Sequence, residues 1–73
     1  MSKKNIIAEM DAFFEFMNDG IIDVNAAADR LNVRVGDIDE ALEAWNAVMK
    51  GEKASRKGTL CVGRVAEGMR KLL

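Results

Sequence analysis

Apolar residues recur at steps of three and four along most of this chain, a spacing that predicts helices rather than strands. From Asn5 to Met17 the positions Ile6, Ile7, Met10, Phe13, Phe14 and Met17 line one face of an amphipathic helix. Ser2 or Asn5 is placed to cap its start, and Asn18-Asp19-Gly20 to end it, with Gly20 taking the left-handed conformation that closes a helix. Ile21 and Ile22 follow as an apolar link. Asp23 or Asn25 then caps a short helix whose inward face is Ala27, Ala28 and Leu31.

Asn32 and Val33 read as a tight turn, since Asn tolerates a positive φ better than most residues. After Gly36, the run Asp37-Ile38-Asp39-Glu40 has the form of a capping box. Asp37 would accept from the third helical amide while Glu40 reaches back. The helix it opens continues through Ala41, Leu42, Trp45, Val48 and Met49 and stops at Gly51. Ala27 or Ala28 supplies the small residue that two closely crossing helices need. From Val24 to Leu42 the chain therefore resembles the helix-turn-helix family of DNA-binding domains, with Asn32 where such motifs usually carry Gly. The long first helix would cover this motif as a third wall, because two short helices alone hold too little apolar surface to fold.

Beyond Gly51 the sequence EKASRKG is charged and small, which predicts a linker. From Thr59 to Leu73, Cys61, Val65, Met69 and Leu72 share a face, but Gly63 and Gly68 interrupt it, each at a cost of about 1 kcal/mol relative to Ala. The expected fold is all-α. A three-helix, helix-turn-helix-like domain over residues 1–50 would precede a basic, flexible or weakly helical C-terminal tail over 51–73, which orders only on a surface or partner.

Composition narrows the chemistry. The 73 residues include no His and one Cys, so the chain offers no zinc cluster, no histidine base and no internal disulfide. Cys61 reads as a small apolar side chain in a reducing compartment. No pair of residues offers a nucleophile with its base or a phosphate-cradling loop, which argues against an enzyme; no metal, cofactor or small-molecule substrate is expected. No apolar run approaches the roughly 20 residues that span a bilayer, and the N-terminus lacks the apolar core of a signal peptide.

Charge changes the picture most. The net charge of −1 conceals ten acids between Asn5 and Ala47 against only Arg30 and Arg34, a net of −8. Between Val48 and Leu73, seven bases oppose Glu52 and Glu67, a net of +5. The helix that would read DNA exposes Asp37, Asp39, Glu40 and Glu43 and has no Lys or Arg between Gly36 and Met49, so a phosphate lattice would repel it. Those four acids, bordered by Arg30 and Arg34 and joined by Trp45 as either core residue or anchor, form the candidate protein-partner face. Lys50, Lys53, Arg56, Lys57, Arg64, Arg70 and Lys71 are the candidate nucleic-acid contacts, reading DNA or RNA backbone without sequence preference.

An acidic body, a basic tail and a non-reading helix-turn-helix together resemble the small phage-encoded transcription regulators that bind bacterial RNA polymerase. The resemblance implies a contact near the β′ N-terminus and the RNA exit region of the polymerase. It also implies inhibition of host initiation and antitermination during elongation, in the host bacterial cytoplasm. Two other readings fit the residues: a helix-turn-helix repressor or excisionase-like factor acting on duplex DNA, and an anti-repressor whose acids mimic nucleic acid in a basic groove.

Overall fold

A computed structural model describes the backbone of residues 3–72 and the side chains of residues 6–72. Four helices follow in order: α1 (Lys3–Gly20), α2 (Val24–Leu31), α3 (Val35–Met49) and α4 (Arg56–Leu72), with no strand among the described residues. The all-α expectation holds, and the first three helices lie where their apolar spacing placed them.

Local chemistry explains the boundaries. Asp23, rather than Asn25, caps α2, its Oδ1 accepting from the Ala26 amide at 2.8 Å. At the start of α3 the expected capping box is shifted by one turn. Asp37 occupies the third helical position and its Oδ2 accepts from the Arg34 amide at 3.2 Å, so the reach-back belongs to Asp37 and not to Glu40. Ser55 opens α4 by accepting from the Gly58 amide at 3.0 Å. Ser2, the other predicted start signal, lies outside the described residues, and Asn5 falls within α1.

α1, α2 and α3 all end on one hydrogen-bond pattern. The amide directly after a left-handed residue reaches back five residues, as Ile22 to Met17 O at 3.1 Å, Val33 to Ala28 O at 3.0 Å and Glu52 to Ala47 O at 2.8 Å. Each turn needs one residue at positive φ, and those residues are Ile21 (48°), Asn32 (57°) and Gly51 (82°). Asn32 and Gly51 stand where the sequence predicts a turn and a helix end. At the first turn the sequence pointed to Gly20, yet the left-handed residue is Ile21, one position later. A β-branched residue in that region costs roughly 1–2 kcal/mol.

The larger correction concerns the C-terminal third. Residues 56–72 form a full 17-residue helix that packs more extensively on α3 than any other pair of helices does. The Cα radius of gyration, 11.2 Å, matches the ~11 Å of a closely packed chain of this length and leaves no room for an extended tail. Cys61, Val62, Val65, Ala66 and Met69 are buried with Ile6, Met10 and Phe13 of α1, Ala27, Ala28 and Leu31 of α2, and Ile38, Ala41, Ala44 and Val48 of α3.

Gly68, which interrupts the apolar face in the sequence, and Gly58, which the sequence places in the linker, explain how this happens. A methyl group on Gly68 would stand 2.7 Å from the Leu31 carbonyl oxygen and 3.0 Å from Leu31 Cβ. One on Gly58 would meet Ala44 Cβ at 2.7 Å and the Glu40 carbonyl at 3.2 Å. Both glycines let backbones approach where no side chain fits, so helix propensity is exchanged for contact with α2 and α3. Gly68→Ala should therefore destabilise the fold by about 1–3 kcal/mol despite the better helix former. Gly36→Ala, in the first turn of α3 with open space around it, should stabilise by up to about 1 kcal/mol. Urea unfolding of the two variants measures both signs.

Candidate functional site

Folding α4 onto α3 brings the two oppositely charged segments of the chain together. Arg64 Nη1 lies 3.3 Å from Asp37 Oδ1, Lys57 Nζ 3.8 Å from Glu40 Oε1, and Arg70 Nη1 3.9 Å from Glu9 Oε1. Within α4, Lys71 pairs with Glu67 at 3.8 Å. The basic partners are mostly exposed, so each pair contributes about 0–1 kcal/mol and orients α4 more than it holds it.

Asp37 is the best connected of these groups. Its Oδ2 takes the Arg34 amide, while Oδ1 accepts from both Arg64 and the Cys61 thiol, whose Sγ lies 3.6 Å away. The backbone hydrogen bond from Arg34 is the main cause that holds the Asp37 carboxyl below its ordinary range, against an opposing effect of burial. Burial pushes the Cys61 thiol up, and the Asp37 charge adds to that. Cys61, expected as a small apolar side chain, is buried in the core, and its thiol also donates to Asp37.

The predicted partner face is therefore divided. Asp37 and Glu40 are engaged by α4, whereas Asp39 and Glu43 are exposed and, among the described residues, without an ion pair. Arg30 is exposed near the end of α2, and Arg34 stands at the start of α3. Trp45 is half-buried and meets the Phe14 ring edge-on, with centroids 5.0 Å apart. The predicted nucleic-acid set is divided too. Lys57, Arg64, Arg70 and Lys71 face acids of the same chain, while Lys50, Lys53 and Arg56 sit exposed around the α3–α4 turn.

Members of both predicted sets converge in one place. Arg34 and Asp37 from the α3 start meet Arg64 and Lys71 from α4 around a shallow cleft of about 490 Å³, floored by Leu31, Val33 and Gly68. Three bases and the acids Asp37 and Glu67 leave it with a net positive charge. Sequence reasoning missed Leu31, Asn32, Val33, Glu67 and Gly68 as neighbours of this cleft, because α4 was read as detached. No group of three or more His, Cys, Asp or Glu side chains that could hold a metal ion occurs among the described residues. No described helix is long and apolar enough to cross a membrane.

Comparison with known protein families, curated proteins and solved structures gave no match to this chain.

The Asp37 contacts predict a pH dependence. A carboxylate whose folded pKa is depressed stabilises above its unfolded value, here 3.8, and that contribution is lost as pH falls through the lower folded value. Asp37→Ala should cost about 1–2 kcal/mol at pH 7, and the gap to wild type should narrow below about pH 4, read from urea midpoints. Cys61 should resist iodoacetamide in the folded protein and react on unfolding, a contrast that mass spectrometry resolves.

Proposed function

We propose that this chain is a non-enzymatic transcription regulator that binds bacterial RNA polymerase as one folded four-helix unit. The contact is near the β′ N-terminus and the RNA exit region, with inhibition of host initiation and antitermination as its effects. The observation that carries the reading is the cationic cleft where Arg34 and Asp37 meet Arg64 and Lys71. It is open and charged, suited to a carboxylate or phosphate of a large partner. α2, the Asn32 turn and α3 serve in this reading as a helix-turn-helix-like frame that holds the cleft rather than a reader of base edges. Asp39 and Glu43, exposed on α3, keep that helix out of a phosphate-lined groove.

Arg34 suits the test because, among the described residues, its side chain has no ion pair. Its reversal therefore spares the core. The full chain is needed, since a chain ending after Lys50 would lose α4 and its buried side chains. Affinity capture from nuclease-treated bacterial lysate should recover RNA polymerase with wild type and at least tenfold less with Arg34→Glu. Failure of wild type to recover polymerase, together with retention on free duplex DNA, would instead establish the helix-turn-helix repressor. Recovery unaffected by Arg34→Glu would remove the cleft from the account.

A further inference from the structure

The three helix ends described above solve one steric problem with three different residues, and only one solution is costly. Gly51 has no Cβ, and Asn32 is the side chain that best tolerates the left-handed region. Ile21 adopts φ 48° with a β-branched side chain that is 94% exposed. The hydrogen bonds that close this turn need the left-handed backbone but not an isoleucine, whose side chain has almost no packing against the described residues. Strain held at an exposed apolar residue points to a use outside the chain.

Ile21 stands at the mouth of a second cleft, of about 430 Å³, lined by Phe14, Met17, Asn18, Ile22 and Asp23 as well. Phe14 rests edge-on against Trp45, so the apolar wall continues onto α3. Among the described residues no base lines the cleft. Between Ile6 and Asp29 the sequence holds six acids and no Lys or Arg. Three of them, Asp11, Glu15 and Asp19, recur at steps of four and form one exposed stripe along α1, next to the Phe14 and Asn18 positions. An apolar slot beside a row of carboxylates is complementary to a helix with an aliphatic stripe and lysine or arginine flanks.

We propose that the α1–α2 corner is a docking cleft for a basic amphipathic helix of a partner protein, with Ile21, Phe14, Met17 and Ile22 receiving its apolar side chains and Asp11, Glu15 and Asp19 pairing with its bases. The surface shares no residue with the cationic cleft, and the proposal does not rest on the polymerase reading. Ile21 is a binding residue kept in a strained turn. Removing its side chain should therefore make the domain more stable and the site weaker.

That opposition supplies the test. The probe is an 18-residue helical peptide of leucine and lysine with leucines at three- and four-residue spacing, compared with the same peptide carrying glutamate for lysine. Titration into the 15N-labelled full chain should shift the amides of Phe14 and of Met17 to Asp23 and change Trp45 fluorescence, with the lysine peptide only. Ile21→Gly should raise the folding equilibrium constant about fivefold in urea unfolding and weaken the peptide at least tenfold. Asp19→Lys should weaken it without altering stability, and Arg34→Glu should leave it unchanged. Absence of shifts with the lysine peptide, shifts centred on Asp39 and Glu43, equal binding by the glutamate peptide or by Ile21→Gly, or closure of the cleft by a second copy of the chain would each overturn the proposal.

Discussion

The structure depends on how closely α4 can approach the backbones of α2 and α3. At Gly68 the helix lies on the Leu31 carbonyl with no space for a methyl group, and at Gly58 it lies against Ala44 and the Glu40 carbonyl. These two contacts bring Cys61, Val62, Val65 and Met69 into the same core as Phe13, Leu31 and Ile38. A chain of this size needs that surface, because a small domain buries a lower fraction of its apolar area than a large one does. Without α4, the buried faces of α2 and α3 would stand open to water, and the Asn32 turn would join two helices with little to hold them. The glycines give up local helix stability for long-range contact, and the long-range contact is the larger effect.

The charge division follows from the same geometry. A segment of net −8 and one of net +5 read, in one dimension, as two tools for two partners. Folded, three of the bases meet acids of the first segment, Arg64 on Asp37, Lys57 on Glu40 and Arg70 on Glu9, while Lys71 pairs with Glu67 inside α4. Pairs this exposed add little stability individually. The three pairs that α4 makes with α1 and α3 favour one register, because docking in another would break them and move Gly58 and Gly68 away from the backbones they approach. Asp37 links the two kinds of constraint. It joins the start of α3 through the Arg34 amide to α4 through Arg64 and Cys61, so one carboxylate ties two helices at the edge of the cationic cleft.

The first three helices were legible because their apolar residues keep a three-four spacing and their ends carry recognisable side chains: Asp23, Asn32 and Gly51 acted as read. α4 was legible as a weak helix with Cys61, Val65 and Met69 on its apolar face, but its docking was not, for a physical reason. Its glycines lower intrinsic helix propensity, and the compensating contacts, to Leu31 and Ala44, are made by residues 14 to 37 positions away in sequence. The same distance hid the cationic cleft, since Arg34 and Lys71 look unrelated until α4 is in place. The seven bases are visible in the sequence, but the acids that meet Lys57, Arg64, Arg70 and Lys71 are not. The capping box was found in kind but misplaced by one turn, because Asp37 and Glu40 both satisfy the spacing rule and only the helix start decides between them.

Ile21 shows a different limit. Gly20 was the obvious left-handed residue, yet the turn that closes α1 places the strained position one residue later. The hydrogen bonds from Ile21 to Asn18 and from Ile22 to Met17 fix that choice, and they also fold Ile22 back towards the helix, where it shares a cleft with Met17. Had Gly20 closed the helix, the turn would have come one residue earlier, and the pairing of Ile22 with Met17 would be lost. The strain at Ile21 therefore creates the apolar slot and also leaves an isoleucine standing at its rim. Native domains of this size have little stability in reserve, so about 1–2 kcal/mol held in a single turn is a substantial share of the total. A fold shaped by stability alone would place Gly or Asn at position 21, as it does at 32 and 51. The isoleucine is better explained by what its exposed side chain meets than by anything it does for its own chain.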